Sequence, residues 1–587
     1  MARAAFSGYT LAERPQLLGR ATKPRLQRGR VQMTESVIES PEKLDRLFPT
    51  LDPAQVARIE TYGRSRRVTA GEVIVEAGDR QPHFFVVRRG AVEVIRPAPD
   101  GEVVIHVDQA GEFTGEGTLI TGRPSLIRVR VRDDGEVVQL RRDQLLRLLQ
   151  TDSEIGQILL RAFILRRAAL IARGYGDVVV LGSRLCSGTL RVKEFLSRNG
   201  HPFQSIDLER DTGAQDLLDR LGIRPEESPV LLCRGNVVLR NPSNEQIADC
   251  LGFNVAVDLD ATRDVVIIGA GPAGLGAAVY AASEGLDALV VEMNVPGGQA
   301  GSSSWIENYL GFPNGISGQE LTARAYGQAQ KFGADVVVAK QVVKLSCDRT
   351  PYAVEIDGGR RIAARTIVVA SGAQYRKPNL ARLGEFEGSG VYYGATFMES
   401  QLCDGEEVVI IGGGNSAGQA AVFLAETCPR VNVLVRSPSL TESMSRYLSR
   451  RIEATATITV HTETELVEID GGRHLERVAW RHKPSGTLER RDIRHVFVMT
   501  GALPSTAWVD GCLACDDKGF IKTGSDLSPD DLAAAKWPLG RPPHTLESSL
   551  PGIFAVGDVR AGSMKRVASA VGEGAAAIAL VHRALHE

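Results

Sequence analysis

Apolar residues recur along this 587-residue chain with more than one rhythm, and the changes of rhythm divide it. Between residues 36 and 172 the apolar runs are short: Val73–Glu76, Phe84–Val87, Val92–Ile95 and Val103–Val107, separated by Gly or Pro. That spacing predicts strands joined by turns. Gln144–Leu149 and Ile155–Ala172 then read as helices. Residues 173–258 predict the order βαβαββα, with strands at 177–181, 203–208, 230–233 and 236–240 and helices at 189–199, 214–221 and 244–250. From Asp264 the runs become wholly apolar and β-branched, as in strands buried on both faces of a parallel sheet. They are Val265–Ile268, Ala288–Val291, Ile367–Ala370, Val408–Ile411 and Val431–Val435.

Two of these strands end in the same chemistry. Asp264–Ile268 runs into Gly269-Ala-Gly271-Pro-Ala273-Gly274 and then an alanine-rich helix to Ser283. In such a strand–turn–helix Gly269 permits the tight turn, and Gly271 lets the backbone approach a pyrophosphate. Gly274 lets helix and strand pack closely, and the helix N-terminus favours the phosphate charge. The next strand ends at Glu292, 23 residues after Gly269, where a carboxylate can accept hydrogen bonds from ribose hydroxyls. Val408–Ile411 leads likewise into Gly412-Gly-Gly414-Asn415-Ser416-Ala417. Its following strand ends at Arg436, 24 residues after Gly412. An acid at this place suits a free ribose 2′-hydroxyl, and a cation suits a 2′-phosphate.

Composition narrows the class without adding a site. Hydrophobic content of 43%, charged content of 24% and a net charge of −2 fit a soluble multidomain protein with no nucleic-acid partner. No apolar run reaches the length of a membrane span. Eight cysteines in a chain this long fit a reducing cytosol rather than a disulfide scaffold, and a cytoplasmic location is expected. Residues 1–35 open with seven Arg and Lys against a single Glu13 up to position 32, and read as a disordered tail.

Further strings complete the picture of the C-terminal part: Pro296-Gly-Gly298-Gln299, Glu307-Asn308-Tyr-Leu-Gly-Phe-Pro, Ile367-Val-Val-Ala-Ser-Gly372-Ala and Gly552-Ile-Phe-Ala-Val-Gly557-Asp558. Across roughly the last 325 residues the chain resembles the thioredoxin reductase family of flavoproteins. The resemblance implies two nested Rossmann-like three-layer α/β domains. One, at 259–379 and 500–587, would bind FAD, and the other, at 380–499, NADPH. It also implies that Gly298, Gln299, Asn308 and Gly372 line the flavin, that Asp558 meets the ribityl chain, and that the chain forms a homodimer. Gly269, Gly271, Ala273, Gly274 and Glu292 then belong to FAD. Gly412, Gly414, Asn415, Ser416, Ala417 and Arg436 belong to NADPH, with Arg436 at the 2′-phosphate.

The N-terminal segments carry two weaker resemblances. Residues 36–172 resemble a cyclic-nucleotide-binding β-roll through Ala70-Gly-Glu-Val-Ile, Phe84–Val94 and Gly111-Glu-Phe-Thr-Gly115-Glu116. In that family the Gly-Glu pair opens a phosphate cassette closed by an Arg about ten residues on. Here Arg123 follows Glu116 by seven, so the cassette is shortened. Gly115, Glu116 and Arg123 are the candidate ligands of a cyclic nucleotide, against a degenerate docking or dimerisation module. Residues 173–258 resemble the glutaredoxin and thioredoxin fold, with Pro229 at the family's cis-proline. Its redox pair is reduced to Cys186-Ser-Gly-Thr189, one thiol at a helix start.

The thioredoxin reductase pattern fails at one place. Its Cys-x-x-Cys falls on Gly394-Ala-Thr-Phe397 or Ala395-Thr-Phe-Met398, which hold no cysteine, and Cys403 nearby stands alone. A two-electron thiol relay needs a pair. The one Cys-x-x-Cys, Cys512-Leu-Ala-Cys515, lies in a hairpin-like stretch, and Cys233, Cys250, Cys347 and Cys428 read as small packed side chains. No metal site is expected, and no side chain is identified as catalytic acid, base or nucleophile. The expected protein is an NADPH-dependent FAD oxidoreductase. Its acceptor is a small molecule or a thioredoxin-type disulfide. The alternatives are thiol-independent reduction of ferredoxin, quinone or oxygen, or a nucleotide or redox sensor.

Overall fold

A computed structural model describes residues 47–98, 101–115, 118–172, 178–183, 186–211, 218, 222–224, 227–233, 237–254, 257–303, 305–348, 350–442, 444–472 and 474–587. The expected N-terminal tail, Glu116 and most of the expected helix at 214–221 lie outside these residues. The described residues sort into two compact units: those up to Gly182 with those from Gly200, and Ser183–Asn199 with those from Val257.

The first unit begins with a β-roll. Its sheet joins Arg64–Val68, Arg128–Leu140, Phe84–Ala98 and Gly101–Asp108 in that order, and Val73–Val75 pairs with Arg128–Leu140. Phe84 and Val86 enter one apolar cluster with Phe113, Leu140 and Phe163, while Phe85 and Val87 enter another with Val129 and Val137. The split follows from alternate residues of a strand facing opposite ways. Two strands are expected within 84–95, but a single strand, Phe84–Ala98, runs through. Gly90 is a bulge in it rather than a break: its φ is +87°, and a Cβ there would come 2.8 Å from the Asp133 carbonyl on the partner strand. Arg64–Val68 has one apolar residue, so its strand character is invisible to periodicity and comes from its ladder with Arg128–Leu140. A second, four-stranded sheet has the order Gln204–Ile206, Val178–Leu181, Val230–Cys233, Val237–Arg240. Its first pair is parallel and the other two are antiparallel. Ser228–Pro229 is cis.

The second unit holds two large sheets, one inserted into the other's chain, beside a three-stranded antiparallel sheet of Thr464–Gly471, Leu475–His482 and Leu488–Arg491. The outer sheet has the order Asp335–Val337, Ala288–Val291, Arg263–Ile268, Arg361–Val369, Tyr352–Ile356, Val342–Ser346, and Ile553–Ala555 also pairs with Arg361–Val369. Its central pairs are parallel and fully apolar inside, as the β-branched runs require. The inner sheet is parallel, in the order Val391–Tyr392, His495–Val498, Glu407–Ile411, Arg430–Leu434, Ile458–His461. The chain passes from outer to inner sheet and back through two short antiparallel strands, Ala373–Tyr375 and Ala502–Pro504. The helix Ser187–Arg198 packs with this unit: Leu190 joins the apolar cluster of Tyr392, Ala395 and Phe497.

Candidate functional site

At the first glycine turn the strand Arg263–Ile268 feeds the helix Pro272–Ser283 through Gly269-Ala-Gly271. Gly269 has φ +104°, and a Cβ would sit 2.4 Å from the Ala370 carbonyl oxygen. A Cβ on Gly274 would come 1.8 Å from the Gly269 carbonyl oxygen, so helix and strand touch there. Gly271 differs. It caps the helix in an extended conformation, and a Cβ on it would meet nothing closer than Gly298 Cα at 3.8 Å. The space above this backbone is open, as a phosphate cradle requires. Glu292 is buried beside it. Its Oε2 accepts the Ala270 N–H (2.7 Å), its Oε1 accepts the Asn294 N–H (2.9 Å), and burial pushes the carboxyl above its ordinary value.

Three further segments close around the turn. Gly297 donates its N–H to the Ala270 carbonyl (2.7 Å), the Gln299 amide donates to the Ala373 carbonyl, and Gly298 begins the short helix Gly298–Ser302. Gly372 accepts the Ser505 N–H at 3.0 Å. Gly557, with φ +71°, lies against Ala273 and donates its N–H to Glu573 Oε2 (2.7 Å). Asp558 is half-buried, burial raises its carboxyl, and its backbone carbonyl accepts from Lys565. Asn308 is exposed in the loop after Ile306, and no hydrogen bond among the described residues ties it to this group.

The second turn repeats the geometry. Gly412 has φ +146°, and a Cβ would lie 2.4 Å from the Met499 carbonyl oxygen, whereas a Cβ on Gly414 would meet nothing within 4 Å. The helix Asn415–Leu424 follows, with Ala417 buried, Ser416 exposed and the Asn415 Oδ1 accepting the Ser445 N–H at 2.8 Å. Arg436 is exposed just past Arg430–Leu434 and makes no ion pair among the described residues. Arg451 is engaged otherwise, with Glu307 at 3.0 Å and the Tyr447 hydroxyl at 3.2 Å. A cleft of about 500 Å³ lined by Glu406, Glu476, Arg477 and Arg494 lies at the Glu407 end of that strand, opposite its glycine turn.

Two residues with no local sequence signal shape the first site. Arg198, at the end of Ser187–Arg198, donates from Nη2 to the carbonyls of Gly298 (2.6 Å) and Pro296 (3.2 Å), and from Nη1 to Glu194. Glu573, on the helix Val567–His586, holds both Gly557 N–H and Arg560 (2.6 Å). The Arg198 contacts cross 98 and 100 residues of chain and those of Glu573 cross 16 and 13, beyond the three- and four-residue spacing of a helix face.

Residues 263–574 match the pyridine nucleotide-disulphide oxidoreductase family. The chain belongs to this family. Residues 65–152 match the cyclic nucleotide-binding domain. The oxidoreductase is 31% identical over 317 residues to a thioredoxin reductase of Listeria innocua, covering 53% of this chain and 90% of that one. To a thioredoxin reductase of Bacillus subtilis it is 30% identical over 325 residues, covering 55% and 95%. The crystal structure of Lactococcus lactis thioredoxin reductase aligns at 27% identity and TM-score 0.49, covering 55% of this chain and 99% of that one. The chain is an NADPH-dependent FAD oxidoreductase with an N-terminal cyclic nucleotide-binding domain.

In this oxidoreductase Gly394 and Ala395 lie against the end of the Gly298–Ser302 turn. Ala395 bridges to Ser303, and a Cβ on Gly394 would meet Ser302 Cβ at 3.2 Å. The cysteines depart from expectation. Cys347 is not simply packed but is disulfide-bonded to Cys512, because the strand Val342–Ser346 brings it to the 507–515 loop with the Cα atoms 6.1 Å apart. Cys512 and Cys515 are therefore not a dithiol. Cys403 is not alone either. Its Sγ lies 3.7 Å from Cys428 Sγ, both are buried, and that neighbour and burial push the Cys403 thiol upward. Cys186 remains a half-buried thiol capping Ser187–Arg198. In the β-roll, Gly115 borders a cavity of about 10 Å³, with Thr114, His83 and Ser125 among the other lining residues. Arg123 instead lies over the Phe253 ring at 3.9 Å.

Proposed function

We propose that this enzyme reduces a thioredoxin-type disulfide, consuming NADPH and a proton and yielding NADP⁺ and two thiols. FAD is held by the first turn. The open backbone at Gly271 and the N-terminus of Pro272–Ser283 receive its pyrophosphate, and Glu292 keeps a lone pair on each oxygen for a ribose after its two backbone contacts. Gly298, Gln299, Gly372 and Asp558 surround the remainder, with Gly557 fixed by Glu573. NADPH is held by the second turn, with Arg436, exposed and without an ion pair among the described residues, for the 2′-phosphate. When bound, FAD accepts hydride from the nicotinamide and passes two electrons on. The chain's own part is position and field, and none of its side chains is assigned a proton transfer.

The observation that carries the disulfide acceptor is the helix Ser187–Arg198. Cys186 caps its start, Ser187 abuts Gly388, and Arg198 fastens its end to the Gly298 loop, so a thiol on a helix N-terminus is held against the flavoprotein unit, where it forms a mixed disulfide that the external partner's own second thiol resolves. The glutaredoxin-like reading of residues 173–258 makes this region the dock for an external thioredoxin. The stacking of Arg123 on Phe253 supports a docking or dimerisation role for the β-roll over nucleotide binding, in a homodimer. The test is anaerobic NADPH titration of the yellow protein, followed by thioredoxin and a disulfide dye. Flavin bleaching with dye reduction, slowed in Cys186→Ser, is expected. Bleaching without dye reduction overturns the disulfide acceptor in favour of a quinone, ferredoxin or oxygen.

A further inference from the structure

The β-roll carries a cluster that neither cofactor uses. The strand Gly101–Asp108 alternates faces, so His106 and Asp108, two apart, share one side. The turn that follows is pinned at Gly111, whose φ is +89° and whose N–H bonds to the Val87 carbonyl at 2.8 Å. This turn folds Glu112 back over the strand end, where its Oε2 accepts the Gln109 N–H at 2.7 Å. His106 Nε2 then lies 3.3 Å from Glu112 Oε2 and 3.6 Å from Asp108 Oδ1, and the three donor atoms all fall within 4.8 Å of one another.

We propose that His106, Asp108 and Glu112 bind a divalent transition-metal ion of the zinc type. Asp108 is the independent observation. Its side chain is completely buried, it points into the cluster, and neither of its oxygens accepts a hydrogen bond from the described residues. A buried carboxylate left so is costly, and a coordinated cation removes that cost. The largest compensating charge is that of Arg166. Its Nε and Nη1 donate to the carbonyls of Leu47, Phe113 and Gly115, so it acts on Asp108 through space.

The donor set and spacing select the ion class. Ligands at about 2.0–2.1 Å from tetrahedral zinc stand about 3.3 Å apart. Both histidine–carboxylate separations are already near that value. One imidazole nitrogen with two carboxylate oxygens suits zinc, cobalt, manganese or iron, whereas calcium and magnesium take all-oxygen sets. The Phe48 ring stacks on the His106 imidazole at 3.7 Å and 17°, which fixes the ring plane. The sequence hides the site because a His-x-Asp-x-x-x-Glu run has neither cysteine nor a paired motif.

The test uses the full-length flavoprotein, stripped with a chelator and titrated with zinc by calorimetry. A Cys403→Ser/Cys428→Ser control removes the buried thiol pair from consideration. One zinc equivalent is expected in the parent and in the control. Its affinity should fall more than about 100-fold in Asp108→Asn and in His106→Ala, beyond the loss typical of an outer-shell change. Cobalt in place of zinc should give a visible ligand-field band that the same variants lose. Glu112, on a turn with its side chain 13% exposed, supplies Glu112→Gln should the Asp108 and His106 variants fail to fold. No zinc binding by the parent overturns the site, as does unchanged binding in the folded variants.

Discussion

Gly271 and Gly274 stand three residues apart and are glycine for different reasons. At Gly274 the protein itself leaves no room, since the Gly269 carbonyl would lie 1.8 Å from a Cβ. At Gly271 the protein leaves room, and the cofactor would take it. Gly274→Ala is therefore expected to cost stability even without flavin, lowering the apoprotein melting temperature. Gly271→Ala should melt like the parent apoprotein yet bind FAD at least about tenfold more weakly, roughly 1.4 kcal/mol, read as the bound-flavin absorbance after gel filtration. Equal behaviour of the two variants would contradict this division. Arg436 has the simplest expected signature. Its charge-assisted hydrogen bonds to a phosphate are worth about 1.5–3 kcal/mol. Arg436→Ala should thus raise KM for NADPH by about 10–100-fold while leaving KM for NADH within a factor of two. Glu292 gives a pH test. Burial raises its carboxyl in the folded apoprotein, so the native state keeps the proton longer than the unfolded chain. Its stabilising share is full at low pH and is lost as pH rises above the ordinary carboxylate range. Apoprotein stability should fall over that interval, and Glu292→Gln should flatten the fall in a series of denaturant midpoints.

Elements were legible where one short segment determines them. Both glycine turns, the strands flanking them and the acid at 292 follow from local spacing. Arg198, Glu573, Cys428 and the Cys347–Cys512 bond were not, because each depends on a partner brought from elsewhere in the chain. The helix Ser187–Arg198 shows the consequence. Its pattern marks a helix, but nothing in it says that its last residue grips the loop expected to line the flavin. Arg198→Met keeps the apolar stem and removes the donors to Pro296 and Gly298. Released from those contacts, Gly298 should hold flavin less firmly, and the FAD dissociation rate should rise about tenfold in a fluorescence-release assay, with Arg198→Lys intermediate. An unchanged rate would mean that the helix rests on the loop without supporting it.

For the molecule as a whole, the nested order of the two dinucleotide sheets decides what can move. The chain crosses between the outer and inner sheets at Ala373–Tyr375 and Ala502–Pro504, a narrow pair of strands that absorbs rotation more readily than a broad interface. In the arrangement described, Gly394 and Ala395 cover Ser302 and Ser303, and Arg451 reaches Glu307. That ion pair is over a third exposed on both partners, so it contributes at most about 1 kcal/mol and biases the arrangement rather than locking it. For a nicotinamide on the inner sheet to reach a flavin on the outer one, Gly394 and Ala395 would have to leave Ser302 and Ser303, and turnover is expected to include that movement. Ser302 Cβ lies close to where a Cβ on Gly394 would stand, slightly inside the 3.5–4.5 Å separation at which disulfides form, so Ser302→Cys/Gly394→Cys can be bridged with a small shift. The oxidised double variant should keep its FAD yet resist bleaching by NADPH, and a phosphine reductant should restore the parent rate. Bleaching at the parent rate while the bridge is intact, shown by mass spectrometry of the same sample, would mean that NADPH reaches the flavin without any rotation about 373–375 and 502–504.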